Sequence, residues 1–97
     1  MSNHDVIRTE EVLVREMVLE NGSGTDWHYH SVVSDYFVCL NGVIRVESRN
    51  PDEAVVLYPG RRVEISPHQV HRVINAHTDT SIYLLIQGVG LYDFNRA

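Results

Sequence analysis

The sequence holds one cysteine, Cys39, so no disulfide can close within the chain. It has no apolar run approaching the ~20 residues a bilayer-crossing helix needs. Its first stretch, MSNHDVIRTEEVLVRE, is charged where a secretory leader would carry an apolar core. A cytoplasmic protein without a membrane partner is expected. Positive charge is also short: eight Lys and Arg against 13 Asp and Glu give a net charge of -5. Phosphate backbones and anionic surfaces are attracted by a cationic field, so nucleic acid is not an expected partner. No segment keeps a 3.6-residue apolar period over three turns, and there is no repeat, linker or low-complexity tract. With 97 residues, one domain over 1–97 is expected. Only about ten residues precede the first expected strand, which leaves no room for an appended DNA-reading module.

What is present is a strand-and-turn pattern. Short apolar runs bounded by Gly, Asn, Asp and Pro predict strands over 11–20, 27–32, 36–40, 43–48, 54–57, 63–65, 70–76 and 81–87. Asn41-Gly42 reads as the two-residue turn of a hairpin. Asn50-Pro51-Asp52-Glu53 and Tyr58-Pro59-Gly60 are further turn signals. Many short strands at even spacing point to a sandwich or barrel, whose closure hides sheet edges. Cys39, set in YFVCL, reads as a buried structural thiol.

Histidine carries the chemistry. His28 and His30 lie two apart in an expected strand, so both side chains share a face and Tyr29 takes the other. Such a pair is common on solvated strands, and on a buried face it is half of a chelating site. Asp35 follows after a short break, and His71 lies on a later strand in QVHRVIN. Three imidazoles and one carboxylate form a mixed N/O donor set. It suits one divalent transition metal ion (Fe, Mn, Ni, Zn, Co or Cu) rather than Ca or Mg, which prefer oxygen shells.

The spacing around these residues is ordered. From Gly22, five residues lead to His28, one separates it from His30, four lead to Asp35 and six lead to Gly42. This resembles the first motif of the cupin superfamily, G-x5-H-x-H-x3,4-E-x6-G, with Asp35 in the Glu place. From Gly60, five residues lead to Ser66, then Pro67, His68, two residues, His71, three residues and Asn75. This resembles the second cupin motif, G-x5-P-x-G-x2-H-x3-N, with Ser66 at its Pro and His68 at its Gly. The resemblance covers 22–42 and 60–75 and implies an all-β, cupin-type jelly-roll barrel. By it, His28, His30, Asp35 and His71 take the places of the metal ligands, with positions left open for water, substrate or dioxygen. Asp is one methylene shorter than Glu and reaches about 1.5 Å less far. It either ligates directly or acts through a water to orient a histidine; unligated, it would be the candidate catalytic base.

The Gly positions are read as turns needing positive φ, which His68 would share. His68 is placed at the rim, His4 and His77 at the surface, and Asn75 in a structural role. Alternation puts Phe37 and Cys39 on the face of Asp35, and Val73 and Asn75 on that of His71. Trp27, Tyr36, Tyr83, Gln87 and Tyr92 are read as packing residues able to reach the barrel mouth or interior. Arg61 and Arg62 follow a turn, solvated or facing an anionic substrate.

Three functions follow. The first is a metal-dependent enzyme acting on a small organic molecule, of oxygenase or sugar-type isomerase or lyase chemistry. The others are a non-catalytic module that binds or senses a small molecule, and a barrel whose metal only stabilises it. A core this small also predicts a homodimer, with Glu10–Glu20 donating a strand to a neighbour or covering its sheet edge.

Overall fold

The computed structural model describes residues 2–88 and 94–97. The described residues form ten strands: β1 (Ser2–Arg8), β2 (Leu13–Leu19), β3 (His28–Tyr29), β4 (Asp35–Asn41), β5 (Ile44–Ser48), β6 (Glu53–Leu57), β7 (Arg62–Ile65), β8 (His71–Asn75), β9 (Ser81–Gln87) and β10 (Asn95–Arg96). They make two five-stranded antiparallel sheets, ordered β1-β2-β9-β4-β7 and β10-β3-β8-β5-β6. From β2 to β10 the chain changes sheet at every connection except the β5–β6 hairpin, which is the jelly-roll course. Among the described residues hydrogen bonding does not run continuously around the molecule, so the expected barrel is two sheets laid face to face.

Alternation explains which strands form the faces. In β9, Ser81, Tyr83, Leu85 and Gln87 point inward and are buried, while the residues between them are half-buried. In β4, Asp35, Phe37 and Cys39 take the inward places, as expected. Met17, Leu19, Phe37, Cys39, Ile44, Val46, Leu57, Ile65, Val73, Tyr83 and Leu85 make one apolar cluster between the sheets. Cys39 has no exposed surface, and burial pushes its thiol pKa up, as a structural thiol requires.

Several expectations are corrected. Asn41-Gly42 does not turn a hairpin, because β4 pairs with β7 and β9 while β5 pairs with β6 and β8. The turn carries the chain from one sheet to the other, and only Gly42 of the two has positive φ, at 80°. The strand expected over 27–32 is reduced to His28–Tyr29. β1 and β10 were not expected: β1 has every residue exposed and β10 is two residues long, so neither carries an apolar period. The predicted positive φ is present at Gly22, Gly60 and His68, the last at 67°.

Candidate metal centre

The four predicted donors come from both sheets. His28 on β3 lies directly across the ladder from His71 on β8, which puts the two imidazoles side by side. Asp35 opens β4 in the opposite sheet, and His30 follows β3 in the connection toward it. One donor atom from each of the four lies within 4.8 Å of all the others, and all four residues are buried.

Backbone carbonyls hold two of the rings. The Nδ1–H of His28 donates to Asp26 O at 2.7 Å, and the Nδ1–H of His71 donates to Gln69 O at 2.8 Å. A carbonyl only accepts, so each Nδ1 carries the proton and each neutral ring is left with a bare Nε2. His71 Nε2 then faces Asp35 Oδ2 at 3.0 Å, and His30 Nε2 stands 3.0 Å from the same oxygen. A bare imidazole nitrogen and a carboxylate oxygen repel unless a cation lies between them, whether a second ring proton or a metal ion. Neighbouring donors on a shared ion at ordinary bond lengths also stand about 3 Å apart. The residues therefore fit a divalent metal ion by donor chemistry and by spacing.

Asp35 is not too short for the cluster, since its Oδ2 reaches both imidazoles. Its Oδ1 accepts from Gln87 Nε2 at 2.7 Å, which fixes the plane of the carboxylate. Burial is the largest influence on this carboxyl and pushes its pKa up. With a second ring proton on the imidazoles, hydrogen bonds from His30 and His71, the His30 charge and the Gln87 bond oppose it and together hold the pKa down at about 2. For His28, burial comes first, and with repulsion from His71 and His30 it lowers the ring pKa to about 3. Without a metal, His28 stays neutral at ordinary pH and Asp35 stays charged. That is the protonation state in which both bind a cation.

Three of the four donors, His28, His30 and Asp35, line a cavity of about 230 Å³ between the sheets. Met17, Phe37, Val73, Tyr83 and Leu85 supply apolar wall, and Phe94 stacks on His28 with ring centroids 4.3 Å apart. Burial, and then the Asp35 charge, raise the pKa of the Tyr83 phenol, which stays neutral. Arg15, Asn3, Asp26 and Arg96 also border the space.

Other sequence readings separate cleanly. Asn75 is structural: its Nδ2 donates to Leu19, Glu20 and Asp79 carbonyls, and its Oδ1 accepts from His77 N and Ser81 Oγ. His68 is exposed, with its ring near Tyr29, and His4 and His77 are exposed. Arg61 and Arg62 are exposed and take no part in lining the metal cavity. Tyr36 is exposed, and Trp27 lies under the guanidinium groups of Arg49 and Arg72 at 4.0 and 4.5 Å. Tyr83 is buried at the cavity, Gln87 is buried against Asp35, and Tyr92 lies outside the described residues.

The sequence reading gave Gln87 no role at the donors and did not reach Phe94. Gln87 had a signal, a polar inward position in the otherwise apolar SIYLLIQ. Phe94 had none, because it belongs to a segment without periodicity.

The family model described as "Cupin domain" matches residues 15–87. No curated protein matches the sequence. Among solved structures, a conserved double-stranded β-helix protein from Klebsiella pneumoniae superposes with a TM-score of 0.86 at 21% identity, covering 99% of this chain and 83% of that one. KdgF from a Halomonas species gives 0.77 at 16% identity, covering 92% and 80%. An oxalate oxidase gives 0.82 at 13% identity, covering 90% of this chain and 46% of its own. At these identities the likeness is one of fold.

Proposed function

The chain belongs to the cupin family, and from that premise we propose that it is a metal-dependent enzyme acting on a small organic molecule. In this reading His28, His30, Asp35 and His71 hold one divalent transition metal ion. The observation that carries it is the buried meeting of three imidazoles and a carboxylate, with His71 Nε2 and Asp35 Oδ2 facing one another at 3.0 Å. A set held this close without a cation would cost several kcal/mol in buried, opposed acceptors.

When bound, Fe or Mn would supply redox chemistry with dioxygen, and Zn or Ni would polarise a carbonyl or activate water. The oxygenase and the isomerase or lyase types are both within this reading. The chain's own residues do the positioning. The Asp26 and Gln69 carbonyls fix the tautomer and aim of His28 and His71, and Gln87 fixes Asp35. The walls from Met17, Phe37, Tyr83 and Leu85 keep bulk water from the bound molecule and strengthen polar contacts made there. We place the enzyme in the cytoplasm as a homodimer.

The test is metal content by elemental mass spectrometry on untagged protein purified without chelator, beside a His28→Ala/His30→Ala variant. One equivalent of Fe, Mn, Ni or Zn per chain that disappears in the variant is the expected result. Its identity selects between oxygen-consumption assays and isomerase or lyase substrates. Full stoichiometry in the variant, or in His71→Ala, would overturn the ligand assignment. Stoichiometric metal without turnover on either class would move the chain to the binding-module reading.

A further inference from the structure

Strand β2 breaks its own rule at Arg15. Leu13, Arg15, Met17 and Leu19 occupy successive inward positions, and three of the four are buried apolar residues. In register, Arg15 sits opposite Leu85 of β9, an inward residue, and it borders the metal cavity with its side chain 19% exposed. An inward arginine beside an apolar wall is costly to keep unless it has work there.

Asp5 explains only part of it. Its Oδ1 accepts from Arg15 Nε at 2.7 Å, which anchors the near edge of the guanidinium. The two terminal NH2 groups have no hydrogen-bond partner among the described residues. That leaves the end of the fork that binds a carboxylate through two parallel bonds. Arg96, the other cation at the cavity, is engaged by Asp26. Across the sheet, Arg15 pairs with Leu85 and Leu85 with Phe37, two residues from Asp35. At ordinary strand spacing the two backbone positions are then about 12 Å apart. With a side chain reaching in from each end, the gap admits a molecule of only a few heavy atoms, in keeping with a cavity of about 230 Å³.

We propose that the cavity takes a small carboxylic acid whose carboxylate is held by the Arg15 fork, while a second oxygen is turned toward the His28, His30, Asp35 and His71 cluster. This rests on the metal reading above for the second contact, but not for the first. Asp5 is the positioning residue that aims the fork.

The test uses the whole chain, metal-free and loaded with Zn(II), titrated by calorimetry and NMR with acetate, pyruvate and lactate, each beside its amide. In the wild type at least one acid binds more tightly than its amide. Arg15→Gln weakens that acid by roughly tenfold to a hundredfold, the range of a lost charge-assisted bond, weakens its amide less, and leaves Zn(II) uptake unchanged. Arg15→Lys, which keeps the charge without the fork, falls between and serves if Arg15→Gln does not fold. No acid preferred over its amide, or acid and amide weakened alike in the variants, overturns the proposal. Failure of Zn(II) uptake with an Arg15-dependent acid preference intact would overturn the metal reading and leave this one standing.

Discussion

Asp35 divides its work between two oxygens, one shared by His30 and His71 and the other held by Gln87. Gln87→Leu removes the hold on Oδ1 while filling nearly the same volume. We expect metal affinity to fall about 10- to 100-fold, read by competition with a chelator, with the fold unchanged by circular dichroism. Unchanged affinity would show that the Asp35 carboxylate needs no second anchor. The same cluster sets acid stability in the metal-free chain. His28 has its pKa lowered from 6.5 to about 3, so the unfolded state binds the extra proton first, and stability falls as pH drops from 6.5 toward 3. Asp35, lowered from 3.8 to about 2, adds a loss below pH 3.8. Denaturant midpoints should fall across this window, and less steeply in His28→Gln; a flat profile would contradict the burial of a neutral His28. At this scale the sequence was most informative, because ligand spacing in two motifs is local information. What it hid was Gln87 at the donors, where the meaning depends on Asp35 lying opposite in the ladder.

Turns show where local chemistry stops predicting topology. Asn41-Gly42 has the residues of a hairpin, yet the strands it joins lie in different sheets, a fact decided by long-range pairing of β4 with β9 and of β5 with β8. Gly42 is required there for two reasons. Its φ is 80°, and an added Cβ would sit 2.9 Å from the Ser81 Cα, a backbone atom that cannot rotate away. Ser81 is itself pinned, since its Oγ accepts from Val43 N. Gly60 has a similar φ of 86° but open space around it. Gly42→Ala should therefore cost about 2 to 4 kcal/mol, from backbone strain plus overlap, and Gly60→Ala about 1 kcal/mol from strain alone. Equal costs by chemical denaturation would mean that the Ser81 contact relaxes. β1 and β10 escaped the sequence for a related reason: alternation reports a buried face, and neither strand has one.

For the whole molecule, the metal centre and the outer edge of the first sheet pose opposite problems. The centre joins the sheets, with His28 and His71 on one and Asp35 on the other, so whatever binds there clamps the two sheets together at their strand ends. The edge has no such clamp. Among the described residues β1 pairs only with β2; it exposes all seven residues and carries Val6 at 52% and Ile7 at 50% exposure. Its inward register positions hold Asn3 and Asp5, opposite Met17 and Arg15, so it adds little apolar burial of its own. An open strand with exposed β-branched residues is a template for further pairing, and a second copy offers the same strand in the antiparallel sense through a two-fold axis. The proposed homodimer is therefore expected to pair or pack through β1. Light scattering after size exclusion should give twice the 11.1 kDa chain mass, and Ile7→Lys should shift it toward one chain. With a net charge of -5 on each copy, added salt should strengthen association by screening their repulsion. A wild-type chain that elutes as a clean monomer at every salt concentration would overturn the dimer and leave β1 held by its ladder to β2 and by the Asp5 pair with Arg15.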